Sequence, residues 1–581
     1  MAPLILRRVL WLFITVLAHS ALAADEVEVG RRIYLEGVLP SGAPLHGVRM
    51  TGSVVSGAAA ACVNCHRRSG MGGVEGDVQV SPISGRFLYA QHGDKAFATM
   101  DPRVGKRMNQ AHAPYNDESL GTAIRRGMNN SGREMSVVMP RYTLGEPEMK
   151  ALIAYLRQLS GQWSPGVTAE TIRFATVIAP DVEPERRKVL IDMMRAAFNQ
   201  KNGSTVTGNY PRGRRHMTSA AEFVLGTERK WELDVWELQG PRESWGGQLD
   251  EHYRQQPVFA LVSGSSNSTW QPVHDFCERE HVPCWFPSVD LPPATQAFYP
   301  VYFSRGVALE AGVLARHLTD KGRQRPQRLV QVYRDDTVGR GAASALTQAL
   351  AGSGITVEDR VLSEGSPEAL RNALAGIKPK DNVMFWLRSA DVAALGSLAP
   401  PEGSYFSAVL SGAEHGPFPV AWKGSARLVY PYELPDKRIA NLAYFHQWLE
   451  TRKLALVDEP LQSEVFFSLN FLTETVAEML DNLYRDYLME RAEDMISKHE
   501  GGKAEEQARA RDALRSAARS IVGTQAGMAE EAQNGSRSGT TIYPRLSLGP
   551  TQRFASKGGY IVHFANAAND TLVAESGWIV P

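Results

Sequence analysis

The sequence predicts a multidomain chain, a small all-α domain followed by a two-lobed α/β domain. Three observations predict it. In the N-terminal part, apolar residues recur at helical spacing around one tight cluster, Cys62-Val63-Asn64-Cys65-His66. A Gly-, Ser- and Pro-containing linker at 162–170 then ends that pattern. Beyond it, β-prone apolar runs alternate with amphipathic helices, and the alternation starts twice. The length of 581 residues fits several domains of ~100–200 residues each.

Composition narrows the function classes. Lys+Arg and Asp+Glu both number 63, so no chain-wide basic footprint for nucleic acid exists. With 43% apolar and 22% charged residues the chain is an ordinary globular one, not a disordered one. Four cysteines are too few for a disulfide scaffold. Residues 1–23 read as a signal peptide. Arg7 and Arg8 are its basic end, 9–18 its apolar run and Ala21-Leu22-Ala23 its cleavage site. The run is shorter than the ~20 apolar residues of a membrane span. The expectation is an exported chain cleaved near Ala23, with an N-terminal anchor as the alternative. No other long apolar run points to a membrane span.

Cys62-x-x-Cys65-His66 has the spacing at which two thiols reach the vinyl groups of one haem while the adjacent imidazole falls under the iron. Half of a zinc site would need more ligands at fitting spacing. The other two cysteines, Cys277 and Cys284, lie too far along the chain for that. A redox C-x-x-C expects a βαβ context, which is missing here. The cofactor expected is one covalent haem c. Because such haem is attached outside the bacterial cytoplasm, the expected location is the periplasm.

With that motif in place, the domain expected at 24–161 resembles a class I cytochrome c from about Val29 to Gly161. Gly30-Arg31-Arg32-Ile33-Tyr34 is similar to the family's N-terminal helix, whose glycine allows close contact with the last helix. After His66 come Arg67-Arg68-Ser69-Gly70-Met71-Gly72 and then Pro82-Ile83-Ser84-Gly85. The resemblance implies that the Pro82 carbonyl takes the hydrogen bond of the proximal imidazole. It also implies Met139, in Met139-Pro140-Arg141-Tyr142, as the sixth iron ligand. Met135 is the nearest rival, His92 and His112 are others, and core packing is the plain alternative for any methionine. A thioether ligand raises the potential relative to a second histidine. The chain departs from the family in a long insertion at 37–60, rich in Gly, Ser and Ala, which reads as a loop. A helix at 147–160 closes the domain, with Met149, Leu152, Ile153, Leu156 and Leu159 on its apolar side. In the family, Tyr155 and Leu156 would pack on the N-terminal helix.

The α/β part is expected over 171–581, with lobe 1 at about 171–300, lobe 2 at about 301–440, and a return and tail at 441–581. Strand candidates are 172–178, 233–238, 258–262, 282–286, 328–333, 382–387 and 404–410. Helix candidates are 186–199, 248–254, 270–280, 314–318 and 342–350. Residues 497–520 read as a solvated helix, 533–541 as a polar loop, and 542–581 as β-like with no assigned place.

Over 171–480 this stretch resembles the type 1 periplasmic binding protein fold, the group of branched-chain amino acid receptors. The matching residues are Met194–Asn199, Val258–Val262 running into Ser263-Gly264-Ser265-Ser266, Tyr302-Phe303-Ser304-Arg305, and Val330–Tyr333 running into Arg334-Asp335-Asp336. The resemblance implies a small polar ligand between the lobes, outside the carboxyl ends of the strands. Candidate contacts are Ser265, Ser266, Tyr333, Asp335 and, in the turn after 404–410, Ser411 to Glu414. The plain alternative is that these are polar turns. The family's Asn…Gly-Gly is reduced to Asn199…Gly203, so amino-acid specificity does not carry over. Cys277 and Cys284 are a candidate local disulfide in an oxidising compartment, or else two buried thiols.

The function expected is electron transfer through the haem, with the α/β domain docking a ligand or a redox partner such as a periplasmic dehydrogenase or another cytochrome. Arg67, Arg68, Arg125, Arg126 and Arg141 concentrate near the motif as a candidate docking patch. Alternatives are a ligand receptor with the haem as redox sensor, and a haem enzyme such as a peroxidase, which needs an open iron site. No Ser-His-Asp signature, P-loop or H-E-x-x-H marks a catalytic centre.

Overall fold

The computed structural model describes residues 25–75, 78–90, 113–206, 228–322, 324–364, 366–378, 380–412, 418–496, 540–566 and 570–581. The expected signal peptide, His92, His112, Glu414 and the 497–520 helix lie outside the described residues. Packing divides the chain into two units. The first holds the described residues up to Ser164 together with Val476–Glu490, and the second holds the rest.

The first unit opens with α1 (25–36). Then come β1 (His46–Val48), β2 (Val54–Ser56), α2 (Val63–His66), β3 (Gly73–Glu75), β4 (Val78–Val80) and α3 (Gly85–Leu88). It continues through α4 (Asp117–Arg126), β5 (Arg141–Tyr142) and α5 (Glu146–Gln158). Asn116 starts α4 with a reciprocal cap, accepting from Ser119 N at 2.8 Å while Ser119 Oγ accepts from Asn116 N at 2.9 Å. Gly127, at φ 65°, ends it. Pro147 sits in the first turn of α5, where its missing N–H costs nothing. Ile33 and Tyr34 of α1 meet Leu120 and Ile124 of α4 and Leu152, Ile153 and Leu156 of α5 in one core. Gly30 makes the α1–α5 approach possible, because a Cβ there would stand 2.1 Å from Ala151 O. The Tyr34 and Tyr155 rings pack at 5.3 Å beside it.

Two expectations for this unit are corrected. It is not all-α, and the 37–60 insertion is not a loop. The insertion folds as an antiparallel hairpin of β1 and β2, and β1 pairs in turn with β5. The backbone groups of a long insertion need partners, and a third strand supplies them. Val48 thereby stands opposite Arg141, two residues beyond Met139. The strands β3 and β4 form a second, two-stranded sheet.

In the second unit, β6 (Thr171–Ile178), α6 (Pro184–Val206), β7 (Lys230–Glu237), α7 (Trp245–Gln255), β8 (Ala260–Val262), β9 (Ser265–Ser266), α8 (Gln271–Arg279), β10 (Cys284–Trp285), β11 (Ser288–Val289) and β12 (Pro300–Val301) follow in order. Their strands form a parallel seven-stranded sheet in the order β11-β9-β6-β8-β10-β12, with β7 beside β6. After α9 (Val307–Leu318) come β13 (Arg328–Arg334), α10 (Thr337–Ala349), β14 (Thr356–Leu362), α11 (Pro367–Leu374), β15 (Asn382–Trp386), α12 (Ser389–Ala394), β16 (Gly403–Ser407), α13 (Ala408–Ser411), α14 (Val420–Lys423) and β17 (Ala426–Tyr430). The expected strand at 404–410 is cut short at Ser407. Its hydroxyl accepts from Leu410 N at 3.1 Å and starts α13.

The long helices α15 (Pro435–Thr451) and α16 (Glu459–Met479) follow. Phe467 and Phe471 of α16 pack on Trp285 and Phe286, beside the carboxyl end of β10. The tail then finds its place. It contributes β18 (Tyr560–Phe564) and β19 (Leu572–Ala574), which extend the second sheet antiparallel from β17. That sheet has the order β14-β13-β15-β16-β17-β18-β19. Upstream of β18, Ala555 N bonds to Tyr302 O at 3.0 Å and Tyr302 N to Arg553 O at 2.9 Å.

Candidate functional site

Cys62 is the N-cap of α2 and already has helical backbone angles, φ −62° and ψ −31°. Positions i, i+3 and i+4 share one helical face, so Cys62, Cys65 and His66 present two thiols and an imidazole on the same side. Arg67, at φ 61°, ends the turn directly after His66. Its carbonyl accepts from the buried Tyr34 hydroxyl at 2.7 Å, which ties the motif to α1.

All five residues expected at the haem, Cys62, Cys65, His66, Pro82 and Met139, line one cavity of about 550 Å³. Leu88, Leu120, Ile124, Leu152 and Leu156 give it apolar walls, and Tyr142 of β5 joins them. Met135, the rival ligand, lines it too. His66 Nδ1 lies 3.0 Å from the carbonyl oxygen of Ser81. A carbonyl can only accept, so Nδ1 carries the proton and Nε2 keeps its lone pair. The acceptor is therefore Ser81, not Pro82. Ile83 N bonds to Gly70 O at 2.7 Å, which sets the register of this segment and leaves Pro82 on the cavity wall. Burial pushes the imidazole down to about 4 against the raising effect of that carbonyl, so it is neutral, as an iron ligand must be. Burial also pushes the Cys62 thiol up to about 12.

These residues fit a haem. The thiols, the neutral imidazole and the thioethers are the donor set it requires, and they line an apolar space within the ~300–1,000 Å³ range of ligand pockets. Arg49 supplies an independent sign. It lines the cavity, and its Nε is buried with no hydrogen-bond partner among the described residues. Such a donor suits an acidic side group of the cofactor.

The segment Val476–Glu490, invisible to sequence reasoning as part of this site, belongs to the first unit. Glu490 is 4% exposed, and its carboxylate accepts from Ser69 N at 2.9 Å and Ser69 Oγ at 2.5 Å, three residues after His66. Arg86 pairs with Asp481 at 2.8 Å, and Trp163 Nε1 donates to Asp481 O at 2.9 Å. The expected arginine patch is largely spent on such contacts. Arg67 donates to Glu490 O, Arg68 lies 3.9 Å from Asp486, Arg125 pairs with Glu146 and Arg141 with Glu134.

The expected ligand contacts of the second unit do not all converge. Ser265 and Ser266 form β9 and are buried. The Ser266 hydroxyl lies 3.4 Å from both Asp181 oxygens, whereas Ser265 Oγ has no partner among the described residues. Ser411 Oγ, after β16, is likewise buried and unpartnered there. The Tyr333 hydroxyl is turned to its own sheet, donating to Asp359 Oδ2 at 3.3 Å. Asp335 is exposed and pairs with Arg340 at 2.6 Å. Glu414 lies outside the described residues. Arg388 was missed. It follows β15 and donates to Asn267 O at 2.8 Å while pairing with Asp290 at 2.8 Å. It thereby joins the carboxyl-end loops of the two sheets. Its place directly after a buried strand was the available signal.

The expected Cys277–Cys284 disulfide is not formed. Both side chains are fully buried. Cys284 Sγ accepts from Trp270 Nε1 at 3.4 Å, and Cys277 packs on the buried side of α8 with Val273 and Phe276. Each sulfur is held in its own core environment. Among the described residues, no helix is long and apolar enough to cross a membrane.

Residues 52–160 match the family model described as Cytochrome c. No curated protein matches the chain in sequence. Among solved structures, a fatty acid ABC transporter substrate-binding protein from Thermomonospora curvata is 14% identical. That match covers 72% of this chain and 95% of that one, with a TM-score of 0.46. A branched chain amino acid ABC transporter from Thermus thermophilus with bound valine is 9% identical, with 71% and 98% covered and a TM-score of 0.47. A possible leucine/isoleucine/valine-binding protein from Rhodopirellula baltica SH 1 is 12% identical, with 70% and 97% covered and a TM-score of 0.46. The cavity with its C-x-x-C-H turn thus lies in a domain of the cytochrome c family, spanning residues 52–160.

Proposed function

We propose that this protein is an exported c-type cytochrome that passes single electrons between redox partners, and that its two-lobed α/β unit binds a small ligand or a partner. The observation that carries the reading is the meeting of Cys62, Cys65, His66 and Met139 on one apolar cavity. One haem, when bound there, supplies a one-electron couple at its iron.

The chain's own residues do the rest. The Cys62 and Cys65 thiols anchor the cofactor. His66 is held in one tautomer by Ser81, which fixes the ring and raises its basicity. Met139 would hold the iron as its further ligand, with Met135 on the same cavity as the rival, and such a thioether would leave no site open for substrate. The leucine and isoleucine walls exclude water, which favours a raised potential. In the α/β unit, the two buried hydroxyls of Ser265 and Ser411, without partners among the described residues, support a polar ligand at the carboxyl ends of the strands.

The test is Cys65→Ser in the full chain expressed with export. Covalent haem should be lost from the product, read as haem retained through acidified-acetone extraction. Full retention overturns the attachment. The untouched protein, once reduced, should show a low-spin spectrum and no carbon monoxide adduct at neutral pH. Ready binding of carbon monoxide would overturn Met139 ligation and turn the reading toward a haem enzyme.

A further inference from the structure

A second cavity, of about 590 Å³, lies in the α/β unit, apart from the strand-end residues. It is walled by residues around β12, by the start of α9, and by the tail at 550–557 and 580–581. Its polar groups are unusually under-used. Arg305 and Lys557 line it, and neither has an ion-pair partner among the described residues. Lys557 has only neutral neighbours, the Ser547 hydroxyl at 2.8 Å and the Gln552 amide oxygen.

Deeper groups show the same lack. Ser556 is 1% exposed, and its Oγ has no hydrogen-bond partner among the described residues. Arg553 is 6% exposed. One of its terminal nitrogens pairs with Glu493 at 2.5 Å, yet its Nε is buried with no hydrogen-bond partner among the described residues. Buried polar groups nearly always find partners, so two such orphans on one cavity call for an acceptor.

The acid on the wall is already spoken for. Glu278 accepts from Phe298 N at 2.8 Å and Tyr299 N at 3.1 Å. His274 is also satisfied, with Tyr302 at one ring nitrogen and Thr295 at the other. The cavity thus offers donors and positive charge beside apolar side chains that include Phe298, Leu309 and Val580. The Arg553 guanidinium carbon lies 4.6 Å from the centre of the Phe298 ring, a cation–π contact.

We infer that this cavity binds a small organic monocarboxylate, its head group on Arg305 and Lys557 and its apolar body against Phe298, Leu309 and Val580. A guanidinium and an ammonium without carboxylate partners attract an anion, and charge-assisted hydrogen bonds hold it more strongly than neutral ones do. The inference rests on no property of the haem domain.

The experiment is calorimetric titration of the full haem-bearing protein with benzoate, hexanoate, benzamide and inorganic phosphate. At least one of the two carboxylates should bind at one site per chain, and benzamide should not. Arg305→Gln and Lys557→Gln should each weaken that binding about tenfold or more, as expected for the loss of a charged hydrogen bond. Lys557→Arg should keep it. Circular dichroism and the haem spectrum should stay unchanged in all three variants, separating a lost site from a lost fold. Binding by neither carboxylate, or undiminished binding in Arg305→Gln, overturns the inference. So does phosphate competing as well as benzoate, since that makes the site one for an inorganic oxyanion.

Discussion

The haem cavity and the strand-end region of the α/β unit are built on opposite plans. In the cavity, the anchoring groups are neighbours in sequence, gathered by a single helical turn at Cys62–His66. In the α/β unit the polar groups come from loops far apart in the chain, and most bond to one another. Asn267, Asp290 and Arg388 form one such set. Groups on one turn need little more than that turn to be in place. Groups from different loops are in place only when both sheets have formed, and their mutual bonds then compete with any ligand.

The comparison can be tested from the largest effect downward. Leu152→Ala removes a side chain that is 2% exposed and belongs both to the helical core and to the cavity wall. It should cost about 2–5 kcal/mol in urea unfolding of the first unit and loosen the haem environment. An equal loss confined to the α/β transition would break the division between the units.

Gly30→Ala is expected to cost about 1–3 kcal/mol, because the added Cβ meets Ala151 O at a backbone that cannot yield. The better helix propensity of alanine is worth only about 1 kcal/mol. A net gain in melting temperature would show that α1 and α5 are not in close contact.

Arg388→Met leaves Asp290 without its cation. Because the arginine side chain is 36% exposed and the aspartate 14%, the expected loss is about 1–2 kcal/mol, not that of a fully buried pair. It should appear in the α/β transition and leave the haem spectrum untouched. A shifted spectrum would link the two plans.

Apart from these three losses, a further test reads a change of slope with pH. Burial raises the Glu490 carboxyl from its ordinary 4.5 to about 8. Between those values the folded chain keeps a proton that the unfolded chain releases. Stability therefore falls as pH rises through that window. Glu490→Gln should flatten this contribution, measured as urea midpoints at about pH 5 and about pH 8. An unchanged slope would show that Glu490 is ionised in the folded protein.

Much of this was legible in the sequence. Met149, Leu152, Ile153 and Leu156 placed α5 by their spacing, and alternating apolar runs placed β6, β8, β13 and β15, because amphipathic periodicity is a local property. The C-x-x-C-H turn announced its chemistry for the same reason. The 37–60 hairpin was not legible, since its strands are held by a partner at 141–142, far along the chain. The choice of Ser81 over Pro82 turned on a backbone register one residue long.

By itself the sequence marked the candidate residues for the chemistry of the first unit, because a helical turn converts spacing into geometry. Only the tertiary structure decided what surrounds them. It set Glu490 beneath Ser69, left Cys277 and Cys284 as separate buried thiols, and brought the tail beside Arg305 to enclose a second cavity. These contacts join residues scores to hundreds of positions apart, or depend on the exact packing of a core. No local pattern encodes a partner at that distance; burial and hydrogen-bond satisfaction select it when the chain closes on itself.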